Sequence, residues 1–312
     1  MHRLVKDPRV SIGVPVYNGE RFLEAALESL LGQTFGDFEL IISDNGSTDR
    51  TEEIGRKAAA ADPRVRYFRS DTNRGAAWNH NRVVELAQGE YFMWAPHDDQ
   101  FAPTFVERCV TILDSDAGVV FCHADPIHID ERGNVLGREV HRCNCSSDSP
   151  SVRFWEVLVV RGGQTTYGLI RASALRQVAP HQTFPRAERA LFAELSLYGR
   201  FHVMSEDLYF KRQHSGQITA ARANRRAESM MLAPERARWW RHRTSLLVGE
   251  YFLAFFTAIR RAPLGRLERI RCYARMFRWV ASHMPGLRVR DPRARLVEYD
   301  LTITQRLARV PW

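Results

Sequence analysis

Apolar and polar positions along the first hundred residues follow two alternating periods. Residues 10–16 (VSIGVPV) form a short unbroken apolar run, which predicts a buried strand. Across Glu20–Leu31, Phe22, Ala26, Leu27, Leu30 and Leu31 fall on one helical face. Phe38–Ser43 and Val65–Arg69 predict further strands, Ala76–Ala87 a helix, and Glu90–Ala95 a fourth strand entered through Gly89. After the second strand, Asp44-Asn45-Gly46-Ser47-Thr48-Asp49 reads as a turn opening a helix. Ser47 or Thr48 can cap its first amides, and Asp49, Glu52 and Glu53 suit its positive N-terminus. Three successive βα units imply a mixed, mostly parallel α/β sheet with right-handed crossovers.

The middle of the chain is less regular. Gly118–His123 predicts a strand, Ile127–Val140 a hairpin around Glu131–Asn134, and Cys143–Ser151 a polar loop. A helix at Val152–Val160, a strand at Tyr167–Arg171 and a helix at Arg186–Tyr198 ended by Gly199 follow. Two short strands, Phe201–Ser205 and Leu208–Lys211, lead to Gln213-His214-Ser215-Gly216. Beyond about residue 220 the patterns are helical: Arg226–Arg261, divided at Pro234, and Leu264–His283, bounded by Pro263 and Pro285. In the second, Leu267, Ile270, Ala274, Phe277, Ala281 and Met284 recur at three and four, the spacing of an apolar helical face. This divides the chain into an α/β domain, 1–220, and a helical segment, 221–312.

Charge changes the picture only once it is located. The 312 residues carry a formal net charge of +9, with 45 Lys+Arg against 36 Asp+Glu. Residues 1–220 hold 25 basic and 29 acidic side chains, and residues 221–312 hold 20 arginines and 7 acids. The α/β part is therefore mildly acidic, and the whole excess sits on the C-terminal segment. Such an excess suits a solvated helix face or an anionic membrane surface. A nucleic-acid partner would draw on Arg236 to Arg243, where arginines interleave with Trp239 and Trp240, but it is not expected.

Five cysteines make an odd count in a chain too long to need disulfide staples, which points to a reducing compartment. His141, Cys143 and Cys145 lack a second pair at zinc spacing and read as a loop. The N-terminal residues have no apolar signal core, and Thr244–Ile259 is too short to span a bilayer, so a cytoplasmic protein is expected.

The candidate chemistry gathers at the carboxyl ends of the strands, where ligands of such sheets bind. Tyr17-Asn18 follows the first strand, Asp44-Asn45 the second and His97-Asp98-Asp99 the fourth. No G-x-G-x-x-G follows the first strand, so no dinucleotide cofactor is expected. Adjacent carboxylates at a strand end repel unless a cation intervenes. A divalent ion bridging one of them to a diphosphate resolves this, since Mg²⁺ commonly takes one or two carboxylates plus phosphate oxygens. Asp44 could serve its own turn or a base or ribose, and Tyr17 could stack on a base or simply fill space.

Taken together, VSIGVPVYNGERFLEAALESLLGQTFGDFELIISDNGSTDRTEEI, NRGAAWNHN and GEYFMWAPHDD resemble the family 2 glycosyltransferases of GT-A fold, over roughly residues 8–215. The resemblance implies inverting transfer of a sugar from a nucleotide diphosphate donor, with Mg²⁺ or Mn²⁺. By position it implies that Pro15 and Tyr17 hold the base, that Asp44 contacts it, and that Asn81 belongs to the third-helix motif of the donor site. His97-Asp98-Asp99 matches the D-x-D element with His97 in place of the first carboxylate, Asp98 facing the nucleotide sugar and Asp99 binding the metal. His214 matches a histidine that approaches the metal or diphosphate. The general base matches Glu188 in RAERALFAELSLYGRF, with Glu194 as its rival nearly two turns deeper. The acceptor implied is a saccharide or lipid-linked saccharide, in cell-surface polysaccharide or glycolipid synthesis. A non-catalytic nucleotide-sugar-binding protein is the alternative, although a carboxylate remains at both key positions.

Overall fold

A computed structural model describes residues 7–139, 145–159, 167–215, 230–234 and 244–283. In chain order the elements are β1 (Val10–Val16), α1 (Leu23–Leu31), β2 (Phe38–Asp44), α2 (Thr51–Ala61), β3 (Val65–Arg69), α3 (Ala76–Leu86) and β4 (Tyr91–Trp94). There follow β5 (Gln100–Phe101), α4 (Phe105–Ser115), β6 (Val119–Ile129), β7 (Val135–Arg138), α5 (Pro150–Val159) and β8 (Gly168–Arg171). The chain continues through α6 (Ala172–Leu175), α7 (Glu188–Leu195), β9 (Arg200–Arg212), α8 (Thr244–Arg261) and α9 (Arg266–His283).

The strands form one mixed sheet in the order β3-β2-β1-β4-β8-β6-β9-β5, with β7 on β6. The first four are parallel, as the βα repeats predict. Antiparallel β8 joins β4 to β6, and β6 pairs β9 in parallel. Alternate side chains divide between two apolar layers. Val10, Ile12, Val14 and Val16 face α1 and α4, while Ile41, Phe92 and Trp94 face the opposite layer with α5 and α7. Gly13 lets α3 come close, because a Cβ there would stand 2.7 Å from Val83 Cβ.

The structure revises two element expectations. The segments expected as two strands at 201–205 and 208–211 are one strand, β9. Its register against β6 shifts between Ala124 and Pro126, so the polar residues Ser205, Glu206 and Asp207 bulge outward without ending the strand. In α9 the core-facing residues are Cys272, Met276 and Trp279. The apolar face named from the sequence is a second one, on the side away from the core, with Leu267, Ile270 and Phe277 all more than half exposed.

α8 and α9 belong to the same apolar layer as α5 and α7. Phe255 meets Phe154 edge-on at 5.7 Å, Tyr251 meets Phe184 at 4.8 Å, and Trp279 donates to the carbonyl of Leu158 at 3.0 Å. The expected boundary near 220 lies outside the described residues. Among those residues, no helix is long and apolar enough to cross a membrane.

Candidate active site

The loops after β1 and β2 are stitched into one shelf. Asn18 takes left-handed backbone (φ 51°), which asparagine tolerates, and its Oδ1 accepts the Thr48 amide at 2.9 Å. The Asn18 amide donates to Ser47 Oγ, that of Gly19 to Thr51 Oγ1, and that of Asn45 to the carbonyl of Val16. On this shelf Tyr17 is 42% exposed, and Pro15 is half-buried one position before the end of β1.

Asp44 is placed differently from the expectation that it contacts a base. It is fully buried, and its Oδ1 accepts the Ser47 amide at 2.8 Å. Its Oδ2 accepts the Tyr67 hydroxyl at 2.7 Å and lies 3.5 Å from Arg69 Nε. Burial, followed by the bond to this carboxylate, pushes the Tyr67 hydroxyl well above its ordinary range. Asp44 thus organises the shelf from beneath and offers it no exposed oxygen.

The end of β4 separates its two carboxylates. Asp99 is buried: its Oδ2 accepts the Tyr209 hydroxyl at 2.5 Å, and its Oδ1 accepts the Arg212 amide at 2.8 Å. Burial and the neighbouring charge of Asp98 push Asp99 up to about 7, against the bonds from Tyr209 and Arg212. Asp98 points instead to His214, whose Nε2 lies 2.9 Å from Asp98 Oδ2. A carboxylate only accepts, so Nε2 carries the proton in this pair. Burial raises Asp98, but the His214 bond and the charges of His97 and His214 outweigh it and hold the group below the ordinary carboxylate range.

Arg212 locks this arrangement, donating to the carbonyls of Asp98, Asp130 and Glu131 at 2.9–3.0 Å. His214 packs against Phe22 at 4.7 Å between ring centroids, so α1 supports it. His97 lies close over the shelf, since a Cβ on Gly19 would come within 2.8 Å of its ring.

Glu188 opens α7 half-buried, two residues after Arg186, which has a left-handed φ of 57°. The Tyr251 hydroxyl of α8 donates to the carbonyls of Arg186 and Pro185, at 2.8 and 3.1 Å, fixing that approach. The charges of both Glu188 and His97 are felt at His80, a half-buried imidazole on α3. Burial, then His181, pushes His80 down to about 4, so it is neutral at pH 7. Glu188 thus favours, and His97 disfavours, a proton on the same imidazole.

Asn81 is committed within the protein. Its Nδ2 donates to the His181 carbonyl at 3.0 Å and its Oδ1 accepts the His181 amide at 2.7 Å, clasping the loop before α7. Its neighbour Asn79 is buried and donates to the carbonyls of Ser43 and Val16, tying α3 to the ends of β2 and β1. Glu194 is buried, accepts the Ala179 amide at 2.9 Å and pairs with Arg261 of α8 at 3.1 Å. Burial raises its carboxyl in spite of both partners. These contacts give Glu194 a structural place, and Glu188 is the carboxylate left at the α7 entrance.

Sequence reasoning passed over Tyr67, His80, His181, Tyr209 and Arg212. His80 lies inside NRGAAWNHN and Arg212 inside KRQHSG, so both were adjacent to residues already singled out. Among the described residues no three His, Cys, Asp or Glu side chains form a metal cluster. Asp98 Oδ2 and His214 Nε2 stand together at one point, where an ion replacing the Nε2 proton would find two ligand atoms and complete its shell with diphosphate oxygens and water. Residues 216–229 and 235–243, including the arginine–tryptophan stretch, and His141 and Cys143 lie outside the described residues.

A sequence model of Glycosyl transferase family 2 matches residues 11–179, more than half of the chain. The chain belongs to that family. Among curated proteins it is 35% identical over 133 residues to an uncharacterised glycosyltransferase of Rickettsia typhi, covering 42% of this chain and 40% of that protein. It is also 35% identical over 133 residues to chondroitin synthase of Escherichia coli, covering 43% of this chain and 19% of that one. The match thus spans well under half of either relative.

Among solved structures the chain resembles Staphylococcus aureus TarS 1–349, with TM-score 0.56, 16% identity, and coverage of 88% of this chain and 91% of that one. It also resembles the mannosyltransferase PcManGT of Pyrobaculum calidifontis in complex with GDP-Man and Mn²⁺, with TM-score 0.53, 15% identity, and coverage of 89% and 88%. The fold is the GT-A fold of these glycosyltransferases.

Proposed function

We propose that this glycosyltransferase is an inverting enzyme. It moves a sugar from a nucleotide diphosphate donor to an acceptor hydroxyl, in the synthesis of a cell-surface polysaccharide or glycolipid. The observation that carries this reading is the pairing of Asp98 with His214 at the end of β4, together with a half-buried carboxylate, Glu188, at the start of α7. Donors of both UDP and GDP type are bound by proteins of this fold, as TarS with UDP-GlcNAc and PcManGT with GDP-Man illustrate.

In this reading the exposed ring of Tyr17, beside Pro15, takes the base by stacking. The metal expected on Asp99 is reassigned, because both Asp99 oxygens are engaged by Tyr209 and Arg212. Asp98 and His214 would hold Mg²⁺ or Mn²⁺, which when bound supplies positive charge against the departing diphosphate. Asp99 keeps the β4 end in position from below. Glu188 accepts the proton of the acceptor hydroxyl as its oxygen attacks the anomeric carbon opposite the leaving group, which inverts the configuration. His80, held neutral by burial, adds no competing positive charge. Hexosyl and rhamnosyl donors both suit this arrangement, and the protein would work at the cytoplasmic side of a membrane.

Screening UDP-, dTDP- and GDP-sugars with Mg²⁺ or Mn²⁺ tests the reading through nucleoside diphosphate release. Release with one donor class, dependent on acceptor and metal, is expected. Tight donor binding without release would instead favour the non-catalytic binding protein.

A further inference from the structure

α8 and α9 form an antiparallel hairpin with two apolar faces. The inner face, with Tyr251, Phe255, Cys272, Met276 and Trp279, belongs to the core. The outer face carries Leu246 (45% exposed), Leu253 (63%), Phe256 (38%), Leu267 (60%), Ile270 (65%) and Phe277 (54%). These are six of the ten large exposed apolar side chains among the described residues, so the exposure is concentrated on this hairpin. The two outer stripes meet: Phe252 lies 5.9 Å from Phe277, and Phe256 lies 5.3 Å from Tyr273, between ring centroids.

The same hairpin is strongly basic. Residues 244–283 contain seven arginines and two acids. Arg260 continues the α8 stripe, and Arg266, Arg271 and Arg278 flank that of α9; all four are exposed. Glu268 accepts the Ser151 amide at 2.9 Å and pairs with Arg271 at 2.7 Å, so it offsets one arginine of the rim and leaves Arg260, Arg266 and Arg278 to carry its charge. An apolar stripe bordered by arginines is the pattern of a helix lying in the plane of a membrane interface, with the long cationic side chains reaching the headgroups.

We infer that the outer face of the α8–α9 hairpin docks on an anionic lipid surface. Charge chooses this occupant over the others. A second copy packed face to face would set arginine rims against each other, because such a contact pairs one patch with itself. Residues 284–312 are also net basic, with six arginines against three acids, and offer no complement to the rim. Anionic headgroups do. The inference adds a lipid surface to the proposed transferase reading: α8 also holds the approach to Glu188 through Tyr251, so docking would bring that site to a lipid-linked acceptor.

The test is co-sedimentation of the full chain with mixed phosphatidylglycerol–phosphatidylcholine vesicles and with pure phosphatidylcholine vesicles. Binding to the mixed vesicles alone, falling as salt rises, is expected. Leu253→Asp and Ile270→Asp should each lower the partition coefficient at least about tenfold. Arg260→Gln and Arg266→Gln should each lower it about fivefold, and serve if an aspartate variant does not fold. No binding of the full chain to anionic vesicles overturns the inference. So does binding that these variants leave unchanged, or a stable dimer that Ile270→Asp dissociates. Nucleoside diphosphate release in solution, followed in the same samples, is expected to stay at wild-type level. Its absence in the wild-type protein counts against the transferase reading and not against the docking face.

Discussion

His214 Nε2 stands 2.9 Å from Asp98 Oδ2, while the adjacent carboxylate, Asp99, is buried with both oxygens engaged by Tyr209 and Arg212. The two neighbouring aspartates are thus divided into one paired with His214 and one buried against Tyr209 and Arg212. Asp98→Asn should weaken Mn²⁺ binding in the presence of donor by at least about tenfold. Asp99→Asn should leave it close to wild type, because the amide can still accept from Arg212 and can donate to the Tyr209 oxygen. Mn²⁺ titration of both variants checks this; the reverse pattern would return the metal to Asp99.

The half-buried histidines give a pH dependence of defined sign. His80 is lowered from 6.5 to about 4, by burial and then by His181, and burial lowers His181 as well. Between those limits the unfolded chain binds more protons than the folded one, so their contribution to stability rises with pH across the window and is lost as pH falls. Asp99, raised to about 7, acts oppositely: the folded state holds its proton, and stability falls as pH rises toward that value. Comparing the wild type with His80→Gln isolates the histidine contribution. Urea unfolding between pH 4 and 6.5 should show a smaller loss toward acid for the variant. Parallel curves would place His80 outside the titrating set.

Asn81 clasps the amide and the carbonyl of His181, 100 residues away, and so closes the loop that leads to α7. Asn81→Ala leaves both backbone groups without this partner, which should cost about 1–3 kcal/mol. Donor affinity should be unchanged, since both amide atoms are directed at the loop. Urea denaturation and donor titration of one preparation separate these effects. A fully stable variant with weakened donor binding would restore Asn81 to the donor site.

The strand ends and their polar clusters were legible because each follows from local pattern: apolar runs of strand length, turns rich in Asp, Asn and Gly, and helices at a period near 3.6. What each carboxylate does was not. Asp44 is claimed by Tyr67, 23 residues on, and Asp99 by Tyr209, 110 residues on, contacts made only when β3 and β9 take their places in the sheet. In α9 the helix was legible but its core side was not: it is apolar on both sides, and periodicity alone ranks Leu267, Ile270 and Phe277 equally with Cys272, Met276 and Trp279. The break expected between the two halves of β9 came from Glu206 and Asp207, which the bulge places outward beside Arg108 and Arg138. α4, whose buried face is Phe105, Val106, Cys109, Val110 and Leu113, was readable from its spacing but had drawn no attention beside the motif preceding it.

The central claim is that Glu188 is the general base of the proposed transfer. The most direct measurement is steady-state nucleoside diphosphate release by Glu188→Gln, with donor affinity titrated in the same preparation. The account predicts a rate about 10²–10⁴-fold below wild type with donor affinity unchanged. Turnover near the wild-type rate in a folded, donor-binding Glu188→Gln protein would contradict it.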